Sequence, residues 1–156
     1  MYLTPTICSG WNLLMTAIYD RKDKLLQDLK DQGGLDDRFR FLISRAKQLP
    51  EMDTNEKTDA YLIKGCLSRA WLFPRFENGL VYFKADSEAA IVKGIIASIV
   101  NVYSGSKPSE ILALSPDFLA EGGISEALSM NRRSGLANIL KQVRLYALAY
   151  QAMEPK

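Results

Sequence analysis

At 156 residues the chain is about one ordinary domain, long enough to bury roughly two-thirds of its unfolded surface in a single core. Apolar residues at 47% and charged residues at 24% argue for a soluble globular protein and against a disordered or membrane-embedded one. A formal charge of +2 is too small to point to a nucleic-acid partner, and Arg132, Arg133, Lys141 and Arg144 read as a solvated helix face.

The first nineteen residues carry no charged side chain. Pro5, Ser9, Gly10 and Asn12 break the run and no basic segment opens it, so it does not read as a secretory signal. No apolar run reaches the ~20 residues that span a bilayer. Residues 1–19 are expected to be a poorly ordered extension to a single domain over 20–156, in the cytoplasm. The two cysteines, Cys8 and Cys66, allow at most one disulfide, and their spacing resembles neither a secreted framework nor a metal knuckle.

In chain order, Asp20 to Lys30 predicts a short helix with Leu25, Leu26 and Leu29 on one side and Gly33-Gly34 at its end. From Asp36 to Leu49, Phe39, Leu42, Ile43 and Ala46 recur at helical spacing until Pro50 stops the pattern. Glu51 to Asp59, EMDTNEKTD, has no apolar periodicity and reads as a surface connection. Tyr61 to Lys64, Leu67 to Phe76 and Leu80 to Ala85 predict three strands. Asn78-Gly79 predicts a type I′ hairpin between the last two, because both residues tolerate the positive φ that this turn needs.

Asp86-Ser87 offers an N-cap to a helix whose wide apolar surface includes Ile91, Ile95, Ile99 and Val102. That helix should be the most buried, with Gly94 letting it approach the sheet. Short helical turns follow over Ser109 to Leu114 and Asp117 to Glu121, and a last helix from about Asn131 or Ser134 aligns Leu136, Leu140, Val143, Ala147 and Tyr150. The order of elements predicts an α+β fold, an antiparallel sheet with helices on one face.

The chain has no histidine, which removes Ser-His-Asp and Cys-His catalysis and the HExxH zinc site. No glycine-rich phosphate loop precedes a helix. Cys66 remains. It is either a small buried hydrophobe or a nucleophile at a turn, and the residues alone leave both open. Gly65 lets the backbone bend there, while Lys64, Ser68 and Arg69 favour thiolate. A thiol of pKa ~8.5 is only a few per cent ionised at neutral pH, so one nearby cation raises the reactive fraction severalfold.

Four segments carry a resemblance: Gln48-Leu49-Pro50, Gly65-Cys66-x-Ser68-x-x-Trp71, Asp86-Ser87-Glu88-Ala89-Ala90-Ile91-Val92-Lys93-Gly94, and Leu128-Ser129-x-x-Arg132-x-x-Gly135-Leu136. In this order the chain resembles, from about Phe39 to Ala147, the SufE family of sulfur-acceptor proteins that serve iron–sulfur cluster assembly. The resemblance implies a three-stranded antiparallel sheet packed against helices, a SufE/IscU-like α+β fold. It implies that Cys66 receives persulfide sulfur from a SufS-like cysteine desulfurase, stimulates that enzyme, and passes sulfur to an iron–sulfur scaffold complex.

In that role the chain is a partner and activator rather than a stand-alone enzyme, and the step needs neither cofactor nor metal. Gly65 and Ser68 are implied as shapers of the cysteine loop, and Asp86 and Arg132 as charged groups near it. Alternatives are a helix N-cap for Asp86 and a surface ion pair for Arg132. Leu67 and Arg69 stand where the family usually has glutamine, which marks an altered partner surface, and Cys8 lies outside the match. Two other roles stay open, an adaptor that binds the desulfurase without carrying sulfur and a cluster scaffold, as do a monomeric and a homodimeric state.

Overall fold

The computed structural model describes residues 9–65, 68–123 and 128–153, without the side chains of 9–16, 119 and 131. Cys8, Cys66 and Leu67 therefore lie outside the described residues. Helix α1 spans Ser9–Lys30, α2 Leu35–Arg45, α3 Ala90–Tyr103, α4 Pro108–Ala113, α5 Phe118–Glu121 and α6 Met130–Met153. Strands β1, Ala70–Glu77, and β2, Leu80–Ser87, stand between α2 and α3. Helix α1 begins at Ser9 rather than Asp20, so it continues back through the uncharged stretch.

Helix α3 is the centre of the molecule. Every residue from Gly94 to Val100 is buried, as are Val102 and Tyr103. A helix apolar on all sides has to be enclosed by other elements, and β2, α1 and α2 pack around it. Gly94 does permit a close approach, but to α2 and not to the sheet. An ideal Cβ on Gly94 would lie 2.6 Å from the Leu42 carbonyl carbon and 2.8 Å from the Ile43 nitrogen. The two helices cross backbone on backbone, which only a residue without a side chain allows.

The α+β class holds, with one correction: the sheet has two strands and not three. β1 and β2 pair antiparallel from Ala70↔Ser87 to Glu77↔Leu80. The turn between them has φ 54° at Asn78 and φ 81° at Gly79, the two positive values that a type I′ hairpin requires. The expected strand over Tyr61 to Lys64 shrinks to an antiparallel bridge, Leu62↔Trp71, with Ile63 N–H donating to the Ala70 carbonyl at 2.8 Å. A 3-10 turn over Asp59–Tyr61 ends just before it, and Gly65 turns the chain away with φ +84° just after it. Too few extended residues remain between those turns for a ladder.

β2 sends Val81, Phe83, Ala85 and Ser87 inward, towards α3. The opposite face carries Trp71, Phe73, Tyr82, Lys84 and Asp86, and the polar connection ending at Tyr61 is fastened across it. Lys84 meets Glu56 at 3.3 Å, Lys57 meets Asp86 at 2.7 Å, and the Tyr61 ring meets Phe73 edge-on at 4.6 Å. Helix α6 packs on α4, α3 and β1, with Tyr150 stacked on Phe76 at 4.8 Å. Arg21 ties α1 to the end of α3 by donating to the Val102 carbonyl at 3.0 Å and to Ser106 Oγ at 2.7 Å. Among the described residues no helix is long and apolar enough to cross a membrane.

Candidate functional site

The chain between Ile63 and Ala70 is a loop pinched at its neck. The Ile63 N–H to Ala70 carbonyl bond and the Leu62↔Trp71 bridge close it, leaving Lys64, Gly65, Ser68 and Arg69 outside the ladder. Gly65 provides the bend with φ +84°, a conformation that costs an L-residue about 1–2 kcal/mol. It packs directly on α6: a Cβ at this position would run into Asn138 Nδ2 and lie 3.1 Å from Asn138 Cγ. Ser68 is half-buried and Arg69 exposed.

The second leg of the loop is anchored to the end of β2. The Arg69 carbonyl accepts from Ser87 Oγ at 2.9 Å and from the Glu88 N–H at 3.0 Å. Ser87 Oγ in turn accepts from the Ala89 N–H at 3.2 Å. The Arg69 guanidinium lies 5.1 Å from the Trp71 ring centroid, and the Lys57 ammonium is 5.8 Å from the same ring. Two cations thus lie against one indole, each gaining about 0.5–1 kcal/mol where water reaches it.

Asp86, opposite Trp71 in the register, is bound from two sides. Oδ2 takes Lys57 Nζ at 2.7 Å, while Oδ1 takes Lys93 Nζ at 3.1 Å and the Ser87 N–H at 2.8 Å. Partial burial pushes its carboxyl upward, but the hydrogen bonds and charge of the two lysines outweigh this and hold it below its usual range. The same pair raises the Lys57 ammonium above its ordinary value, chiefly through the hydrogen bond to Asp86. The expected N-cap from Asp86-Ser87 is therefore corrected. Both residues belong to β2, and α3 starts from Ala89 without a side-chain cap, because Asp86 is already taken by lysines.

Leu49, Pro50, Met52, Lys57, Asp86 and Lys93 line a cleft of about 300 Å³ next to this cluster. The Gln48-Leu49-Pro50 segment and the segment that opens with Asp86 thus share one wall, and α6 reaches Gly65 from behind. Arg132 is exposed on the first turn of α6, and among the described residues its side chain has no hydrogen bond or ion pair with Asp86. Among the described residues no three His, Cys, Asp or Glu side chains gather as a metal site.

Compared with known proteins, the chain matches the SufE family model, described as an Fe-S metabolism associated domain, over residues 23–147. The chain belongs to the SufE family. An uncharacterized SufE-like protein of Rhizobium etli is 34% identical over 140 residues, covering 86% of this chain and 92% of that one. An uncharacterized SufE-like protein of Synechocystis is 33% identical over 114 residues, 73% of this chain and 72% of that one. The chloroplastic/mitochondrial SufE-like protein 1 of Arabidopsis thaliana is 33% identical over 80% of this chain, which spans 33% of its length. A solution structure of a hypothetical protein from Thermus thermophilus shares the fold, with a TM-score of 0.72 over 85% of this chain and 96% of that one at 18% identity.

Membership in the SufE family ties this chain to iron–sulfur metabolism. It also gives the geometry a context, since the pinched loop is the one that contains Cys66. Two residues at this site carried no signal in the sequence, Lys57 in a polar run without periodicity and Asn138 just past the matched α6 segment, while Ser87 lay in a matched segment but read as a cap.

Proposed function

We propose that this SufE-family chain is a sulfur carrier of iron–sulfur cluster assembly, taking persulfide sulfur from a cysteine desulfurase onto Cys66, stimulating that enzyme and delivering to a cluster scaffold. The observation that supports it best is the loop itself: a segment closed at its neck by Ile63 and Ala70 and anchored through the Arg69 carbonyl, with a cysteine in the sequence between. Such a loop presents a thiol to a partner without disturbing the core.

The chemistry is thiol exchange. The Cys66 thiolate attacks the outer sulfur of the donor's cysteine persulfide, and a new sulfur–sulfur bond forms as the donor's own one breaks. The donor's inner sulfur leaves as thiolate with the electron pair, and the transferred sulfur keeps its proton. Nothing is oxidised or reduced overall, so neither metal nor cofactor enters the step. In this reading Gly65 and Ser68 shape the loop, Asp86 holds the neighbouring strap through Lys57, and Arg132 is an exposed cation for the partner. The working unit is a single domain, with Ile18 of α1 already in its core, as monomer or homodimer in the cytoplasm.

Mass spectrometry after incubation with desulfurase and cysteine tests the proposal. A gain of ~32 Da per added sulfur, removed by reductant and absent from Cys66→Ser, supports sulfur carriage. Binding of the desulfurase without mass gain would make the chain an adaptor, and a bound cluster would make it a scaffold; either outcome overturns the proposal.

A further inference from the structure

The outward face of α6 is not the solvated surface that its cations suggest. Over Met130–Met153 the helix carries Arg132, Arg133, Lys141 and Arg144 and no aspartate or glutamate. A solvated helix face sets polar residues between its charges. Here Ala137, Leu140, Leu145 and Leu148 surround Lys141 and Arg144, and with Leu112 of α4 and Pro116 they line a groove of about 570 Å³. Leu145 and Leu148 are 48% and 54% exposed, so apolar surface that other leucines of the chain bury is left in water. From Ala137 to Leu148 the groove follows α6 for roughly 16 Å, about three helical turns.

Its cations are unanswered. Arg144 donates to the Leu112 carbonyl at 3.2 Å and the Leu114 carbonyl at 3.5 Å, which fixes its guanidinium on the wall where α4 ends. Lys141 is exposed. Among the described residues neither forms an ion pair. The acid that lines the groove, Asp117, accepts from Ser115 Oγ at 3.2 Å instead.

We infer that this groove docks an amphipathic helix of a partner protein, its apolar stripe laid on Leu140, Leu145 and Leu148 and its carboxylates set against Lys141 and Arg144. A helix seated in a groove buries anchors at i, i+3 or i+4, and i+7, a spacing that a channel of this length accommodates. Opposite charge at the walls fixes its direction and speeds encounter. The occupants that the chain itself could offer fit worse. A second copy placed symmetrically would bring the two sets of cations together. Residues 1–8, MYLTPTIC, are largely apolar but hold no acidic side chain to meet the cations. The inference stands apart from sulfur carriage, since neither Cys66 nor its loop takes part.

The test uses the full-length protein and a fluorescently labelled helical peptide of about 15 residues, with leucines at i, i+4, i+7 and i+11 and glutamates between them. Fluorescence anisotropy should show saturable binding that weakens as salt is raised. Lys141→Glu should weaken it about tenfold and Leu148→Ser about fivefold, while Lys141→Arg keeps it. Both positions are exposed, so the urea midpoint of each variant should match the wild type, and the loss of binding then reports on the groove. Absence of saturable binding overturns the inference, as does equal affinity for a peptide with lysine at each glutamate position or for the same residues scrambled out of helical register. So do tighter binding by the peptide MYLTPTIC, a dimer of the protein that competes with the acidic peptide, and binding of phosphatidylglycerol vesicles through Lys141 and Leu148 in place of the peptide.

Discussion

Replacing Gly94 by Ala perturbs the point on which the arrangement of helices depends. The added methyl would meet the Leu42 carbonyl carbon at 2.6 Å and the Ile43 nitrogen at 2.8 Å, where ordinary contact begins at 3.4 Å. Both obstacles are backbone, so no side chain can swing aside. Helices α2 and α3 must part by the better part of an ångström. Overpacking costs about 1–3 kcal/mol, and a clash with backbone under 3.0 Å belongs in the upper half of that range, about 2–3 kcal/mol. Alanine in place of glycine returns ~1 kcal/mol of helix preference. The net loss is about 1–2 kcal/mol, which for a domain of this size lowers Tm by roughly 3–8 °C. Urea unfolding followed by circular dichroism should show a lower midpoint at an unchanged slope. Because Lys93 precedes Gly94 and holds Asp86, the variant should also loosen the strap over the sheet. If Gly94→Ala were as stable as the parent, α2 could slide freely and the close crossing would be no constraint.

Asp86→Asn removes a carboxylate that its lysines hold below the usual value of 3.8. A depressed carboxyl contributes stability above its unfolded pKa and loses it as pH falls through the folded one. The variant should therefore be about 1–2 kcal/mol less stable at pH 7, with the gap closing below about pH 4. Denaturant titrations across pH 2–7 check this, and a pH-independent gap would contradict it. Ser87→Ala deletes the hydroxyl that both donates to the Arg69 carbonyl and accepts from the Ala89 N–H. It should cost about 1 kcal/mol. It should also speed tryptic cleavage after Lys64 or Arg69, read by mass; an unchanged rate would show that Ser87 does not hold the loop.

Local rules were readable where local physics decides. Asn78-Gly79 dictated its turn, and the breadth of the apolar surface from Ile91 to Val102 identified the central helix, because both depend on neighbours in the chain. The failures share a cause. Tyr61 to Lys64 has strand-like composition, but the turns that flank it leave room for a single bridge. Asp86-Ser87 satisfies the rule for a cap, yet its oxygens are engaged by Lys57, Lys93 and the Arg69 carbonyl, long-range partners that no local pattern reveals. Gly94 signalled close approach, but the neighbour is α2 and not the expected sheet, since a missing side chain carries no direction. The position of Cys66 between motifs was legible through the family resemblance, whereas the amide of Asn138 behind Gly65 emerges only once α6 is packed.

Trp71 sits 6% exposed at the neck of the cysteine loop, with Lys57 and Arg69 near its ring and an indole N–H that finds no partner among the described residues. Indole emission responds to nearby charge and to water, so this side chain is a fluorophore installed beside the loop. The chain has only one other tryptophan, Trp11, and Trp11→Phe would leave a single emitter. A partner that draws Arg69 or the strap bearing Lys57 away from the ring would change the colour or intensity of its light, making docking at the loop visible in real time without any label.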